Sequence, residues 1–146
     1  IKKKVAIIQF IKGAWKTGEQ KALKNLDRNI KWHSLGEGFT WETQDRIRDE
    51  GLVKKAWEVS KKYIEDKSFK LVILDEINIA IKLGYISDEE IINYIKSLGN
   101  HKNHIVLTGR GAKESVIDFA DLATEMRLIK HPFKEQGIKA QKCIEY

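Results

Sequence analysis

Residues 71–78 read LVILDEIN: four apolar side chains in a row, two acids, then a further apolar position. A run without polar alternation belongs to a strand covered on both faces, the habit of parallel sheets, whereas a one-sided antiparallel strand would alternate. The same signature recurs at residues 5–10 (VAIIQF) and 105–108 (IVLT), and more weakly at 30–35 and 123–129. Between these runs lie helical rhythms. Ile47, Val53, Ala56, Trp57, Tyr63 and Ile64 recur every three or four residues through a highly charged stretch, so one stripe faces inward and the rest is wet. Ser87 and Glu90 fit a capping box ahead of Ile91, Ile92, Ile95 and Leu98, and residues 113–120 suit a shorter helix. Strands alternating with amphipathic helices predict an α/β fold, a mainly parallel sheet with helices on both faces joined by right-handed crossovers. At 146 residues, with no linker or internal repeat, a single domain is expected over residues 1–146.

In such sheets ligands bind beyond the carboxyl ends of the strands. Four segments of unusual chemistry fall there, at residues 9–13, 36–44, 75–78 and 108–111. Asp75 and Glu76 follow a hydrophobic strand in the Walker B arrangement, where a carboxylate at the strand tip holds Mg2+ or its water beside nucleotide phosphates. The same pair would also serve as a plain acidic start to a helix from Ile77, and on these residues alone both readings stand. Residues 108–111 (TGRG) place two glycines and an arginine at a strand-to-helix turn, where free backbone amides and a guanidinium suit phosphate oxygens. A simple turn carrying a surface arginine is the alternative. A Walker A loop should accompany a Walker B strand, and the nearest segment, residues 13–18 (GAWKTG), fails as one. Trp15 stands where a glycine is needed before the lysine, so the amides there do not wrap a phosphate in the usual way. Residues 12–18 read instead as the edge of a pocket.

Residues 36–44 (GEGFTWETQ) put two large aromatics, Phe39 and Trp41, on a glycine-hinged loop. Solvent-facing connections avoid such groups, so these are buried locally, packed on a partner, or held for a flat apolar ligand. Composition narrows the remaining chemistry. One cysteine, Cys143, excludes an internal disulfide and any multi-thiolate metal site, and His33, His101, His104 and His131 lack the spacing of a zinc site. No Ser/His/Asp or Cys/His set is visible, which argues against a nucleophile supplied by the protein. The net charge is +6, yet 22 of the 27 basic residues are lysines dispersed among acids, a solvated surface rather than a concentrated nucleic-acid face. No apolar run approaches the roughly 20 residues that span a bilayer, and no signal peptide opens the chain, so a cytoplasmic protein without membrane contact is expected. Residue 1 is isoleucine, the only methionine is Met126, and a buried strand begins almost at once, so a preceding segment is expected to be missing.

With these segments in place, the chain resembles the ATP:corrinoid adenosyltransferases of the P-loop type. The likeness runs nearly end to end, through VAIIQFIKGAWKTGE at 5–19, GEGFTWETQ at 36–44, LVILDEINIA at 71–80, VLTGRG at 106–111, ADLATEMRLIKHPF at 120–133 and GIKAQK at 137–142. The resemblance implies a RecA-like P-loop NTPase fold, here lacking the first strand and phosphate loop with which family members begin. It implies transfer of the 5′-deoxyadenosyl group of ATP to the cobalt of cob(I)alamin or a related corrinoid, with release of triphosphate, in adenosylcobalamin synthesis or salvage. ATP, Mg2+ and cobalamin are the small molecules it brings, and a homodimer served by an electron-donating reductase or flavodoxin-like protein is the implied assembly. Carried onto this sequence, Asp75 and Glu76 serve the metal, while Lys12, Thr108 and Arg110 lie against the nucleotide. Gly38, Phe39 and Trp41 meet the lower face of the corrin ring, and Phe39, Trp41, Glu76 and Arg110 are the expected catalytic set. Two rivals stand beside this reading: a RecA-like ATPase acting on nucleic acid, and a corrinoid-binding module without catalysis.

Overall fold

A computed structural model describes residues 3–11, 22, 29–34, 46–100, 102–139 and 141. Each of the three strong apolar runs becomes a strand: β1 is Lys4–Gln9, β3 is Phe69–Asp75 and β4 is His104–Leu107. The weaker run at 30 forms β2, Ile30–Ser34. The four strands are parallel throughout, in the order β2-β1-β3-β4. Pairing of Ala6 with Val72 and Ile8 with Leu74 puts four fully buried side chains on one face of the sheet. Beneath the sheet runs α1, Arg46–Glu65, which contributes Val53, Ala56, Trp57 and Ile64 to the same core. Val5, Ile7, Leu71 and Ile73 point the other way and are half-buried among the described residues.

The helical rhythm of α1 is met with one exception: Ile47 is 85% exposed and Asp49 takes the inward position in the first turn. At roughly 100° per residue, Ile47 falls well off the Val53–Ala56–Trp57 stripe, whereas Asp49 falls close to it. Trp57 is fixed edge-on against Tyr94, with ring centroids 5.3 Å apart, and its truncation to alanine would cost about 3–5 kcal/mol. The far end of α1 is closed by Asn103, whose Nδ2 donates to the Ile64 carbonyl at 2.7 Å. On its flank His33 of β2 and the Tyr63 hydroxyl share a hydrogen bond of 2.6 Å, which ties the outer strand to the helix.

Three short helices and one of ten residues complete the described fold: α2, Ile77–Lys82; α3, Asp88–Ser97; α4, Glu114–Phe119; and α5, Pro132–Gln136. The helix expected at 113–120 is α4, and the cap expected at Ser87 is present, with its Oγ accepting from Glu90 N at 3.1 Å. The strand expected at 123–129 does not form; these residues are exposed and without regular structure, Met126 at 95% and Ile129 at 82%. A strand is stabilised by its neighbours, and among the described residues nothing pairs with this stretch. No helix of the described residues is long and apolar enough to cross a membrane.

Candidate functional site

Parallel pairing brings the strand tips to one edge. Gln9 stands in register with Ser34 on one side and Asp75 on the other, and Leu107, just before Thr108, pairs with Leu74. Backbone hydrogen bonds then stitch the tips together: Phe10 N donates to Asp75 O at 2.9 Å, Thr108 N to Leu74 O at 3.1 Å, and Asn78 N to Thr108 O at 3.1 Å. Side chains add a second layer. The Asp75 carboxylate is gripped from both sides, Oδ1 accepting from Thr108 Oγ1 at 2.8 Å and Oδ2 from Gln9 Nε2 at 3.2 Å. Thr108 Oγ1 also accepts from Glu76 N at 3.0 Å. A hydroxyl has one hydrogen to give, and that of Thr108 is committed to Asp75.

Immediately past Asp75 the backbone turns left-handed at Glu76, φ 61° and ψ 21°, the one non-glycine residue with positive φ among the described residues. For an L-residue this conformation costs on the order of 1–2 kcal/mol. The surroundings enforce it, because Glu76 N is held by Thr108 and Glu76 O accepts from Ile79 N at 3.1 Å as α2 begins. The expectation that these acids might only cap the following helix is not met for Glu76, since its side chain caps no amide of α2. Instead Glu76 Oε2 is buried with no hydrogen-bond partner. Burial pushes the Glu76 carboxyl above its ordinary value, the Asp75 charge adds to that, and the Arg110 guanidinium partly offsets both. An orphaned buried acceptor costs about 1–3 kcal/mol until a donor or cation arrives.

Glycine at 109 is what lets the TGRG turn lie on this acid. Its φ is 121°, and a Cβ there would sit 3.2 Å from Glu76 Oε2 and from Asn78 Cβ. Asn78 Nδ2 reaches the Gly109 carbonyl at 3.4 Å, so the two turns are joined by side chain as well as backbone. Arg110 projects from this junction into solvent, within electrostatic reach of Glu76.

The structure thus gathers Asp75, Glu76, Thr108 and Arg110, from two different turns, at one edge. Lys12, Gly38, Phe39 and Trp41 lie outside the described residues, although β2, the strand ahead of the aromatic segment, ends at this edge beside Gln9. Sequence reasoning placed Gln9 and Asn78 within segments at the ligand edge but gave neither an individual role. Gln9 could have been flagged, being the one polar residue in the run VAIIQF, where a buried strand has no reason to carry an amide without a partner. Chemically, two carboxylates with an unsatisfied oxygen suit a hard cation with oxygen ligands. No cluster of three or more His, Cys, Asp or Glu fit to hold a metal occurs among the described residues. Two carboxylates are the donor number through which Mg2+ is ordinarily held, its other ligands coming from water and phosphate.

Comparison with known proteins bears directly on this edge. The family described as ATP:corrinoid adenosyltransferase BtuR/CobO/CobP matches residues 1–146. Several curated relatives carry the name corrinoid adenosyltransferase. One from Sinorhizobium sp is 51% identical over 142 residues, 97% of this chain and 66% of the relative. One from Pseudomonas aeruginosa is 46% identical over 143 residues, 98% of this chain and 70% of the relative. One from Escherichia coli K12 is 34% identical over 144 residues, 99% of this chain and 71% of the relative. The chain thus spans about two thirds of the length of the relatives it matches. A parallel α/β sheet with a carboxylate-and-guanidinium edge, joined to a match over every residue, places this chain in the ATP:corrinoid adenosyltransferase family, transferases whose substrates are ATP and a corrinoid.

Proposed function

We propose that this chain, within the full-length protein, transfers the 5′-deoxyadenosyl group of ATP to the cobalt of cob(I)alamin or a related corrinoid and releases triphosphate. The observation that carries the reading is the orphaned Glu76 Oε2 beside a clamped Asp75, an acidic site with an unsatisfied oxygen at the edge where such sheets bind ligands. Bound there with the triphosphate, Mg2+ would supply charge neutralisation to the leaving group. Arg110, and Lys12 with it, adds fixed positive charge against the same oxygens. Thr108 acts on Asp75 rather than on phosphate, because its only hydrogen is already given.

The reaction asks little covalent chemistry of the protein. Reduced cobalt attacks C5′ of the ribose, a cobalt–carbon bond forms, the C5′–oxygen bond breaks, and its electron pair leaves with the triphosphate. What the chain supplies is position and charge. In this reading Gly38 frees the loop backbone while Phe39 and Trp41 press on the lower face of the corrin ring, displacing the axial base and excluding water. Cobalt(II) then becomes easier to reduce, since the entering electron no longer meets an orbital raised by an axial ligand. Residues 1–146 belong to one domain of a cytoplasmic homodimer, supplied with electrons by a reductase or flavodoxin-like protein and binding neither nucleic acid nor membrane.

A spectral assay for adenosylcobalamin with the full-length protein tests this. Formation of the product together with triphosphate is expected. Phosphate released on addition of nucleic acid would point to a RecA-like ATPase, and corrinoid binding without adenosylation to a binding module. Replacing Phe39 and Trp41 together by alanine should largely abolish adenosylation from cob(II)alamin and leave ATP binding intact; unchanged turnover would remove the aromatics from the mechanism.

A further inference from the structure

We infer that Gln9 is a positioning residue: its side-chain amide fixes one oxygen of Asp75 while Thr108 fixes the other, presetting the carboxylate for the metal–triphosphate. The inference rests on the functional reading above and adds a residue to it. Gln9 closes β1, the strand between β2 and β3, and is 8% exposed. Its neighbour Phe10 donates backbone N–H to Asp75 O, so the two strand tips are locked in register before the side chains meet. The orientation of the amide follows from chemistry, since the opposite one would press its carbonyl against a carboxylate. That orientation leaves Gln9 Oε1 buried and without a hydrogen-bond partner.

The orphaned carbonyl is the telling feature. An apolar side chain of equal length at the fifth position of VAIIQF would leave nothing unsatisfied, so packing gives no reason for glutamine here. The amide is explained by what its nitrogen does. With Oδ1 and Oδ2 each accepting one hydrogen bond, the Asp75 carboxylate is held in one orientation, and each oxygen retains acceptor capacity for a further ligand. Groups that orient metal-binding carboxylates in this way are worth roughly 10–100-fold in metal affinity.

The test uses full-length protein, Mn2+ as the probe read by electron paramagnetic resonance in the presence of ATP, and the Gln9→Met and Gln9→Glu variants. Gln9→Met keeps the length and removes the donor; its Mn2+ dissociation constant should rise about tenfold or more, with an unchanged melting temperature and an unchanged KM for the corrinoid. Gln9→Glu exchanges the donor for a second carboxylate that itself attracts a cation, so it should bind Mn2+ more tightly than Gln9→Met. A folded Gln9→Met protein that binds Mn2+ as tightly as the wild type overturns this assignment alone. Loss of affinity only in proportion to lost stability also overturns it, in favour of a structural role. Wild-type protein that takes up no Mn2+ with ATP overturns the functional reading and this assignment with it. Should Gln9→Met fail to fold, the wild-type Gln9 side-chain amide protons decide by NMR. Slow exchange and a shift on addition of Mg2+ and ATP support the assignment, and fast-exchanging, unshifted protons overturn it.

Discussion

Glu76 and Asp88 stand at the heads of two successive helices and live under opposite conditions. At α3 the cap and the first acid are answered. Ser87 Oγ receives Glu90 N, and Asp88 accepts from Lys113 Nζ at 2.6 Å through Oδ1 and from Ser115 Oγ at 2.5 Å through Oδ2. The hydrogen bond from Lys113, with that from Ser115, holds the Asp88 carboxyl down to about 2. At α2 little is answered: Glu76 is forced left-handed, caps nothing, and keeps a buried oxygen without a donor. The difference separates an acid used to hold a fold together from an acid held ready for something that has yet to bind. Both sit at helix starts, where the helix dipole favours negative charge, so the dipole does not distinguish them; their side-chain partners do.

The sharpest way to break this contrast is Glu76→Gly. Glycine adopts positive φ freely and carries no carboxylate, so adenosylation should fall by roughly 100-fold or more. Stability should meanwhile hold, or rise by about 1 kcal/mol, in chemical denaturation at pH 7. A protein that loses stability and activity together would show that Glu76 is structural after all.

Acid titration compares the two helix heads next. The folded pKa of Asp88 lies below the ordinary aspartate value of roughly 3.9, so its contribution is complete above that value and is lost as pH falls toward about 2. Asp88→Asn should flatten that acid limb of the stability curve and leave activity at neutral pH unchanged. Glu76 has the opposite sign. Its raised pKa means that the charged form strains the fold at neutral pH, and this strain disappears as pH falls through the folded value. The smallest effect belongs to Ser87→Ala, which removes one cap from α3 and should cost about 1 kcal/mol with no change in turnover.

Much of this was legible in the chain itself, for a local reason. The runs at 5–10, 71–74 and 105–108 contain enough consecutive apolar residues to fix strand and burial without knowing their neighbours. The stripe along α1 was legible in the same way except at Ile47, where a hydrophobic side chain off the inward face stays in solvent. Residues 123–129 mark the limit. Their apolar residues suggested a weak strand, but a run of this kind becomes a strand only when another strand is beside it. The site divides along the same line. Acids after an apolar strand and a TGRG turn after another were visible as chemistry, whereas the bonds of Gln9 and Thr108 to Asp75 join residues far apart in sequence, and the lone amide in VAIIQF marks a need for a partner without saying which.

The sequence by itself determined that buried parallel strands end in acids, glycines and an arginine, because burial preference and turn chemistry are properties of a few adjacent residues. Only the tertiary structure decided the order β2-β1-β3-β4, which sets Gln9 between Ser34 and Asp75, and with it which carboxylate is satisfied and which is not. Whether a buried polar atom finds a partner depends on what the fold brings to it from elsewhere in the chain, and no stretch of sequence contains both halves of that pair.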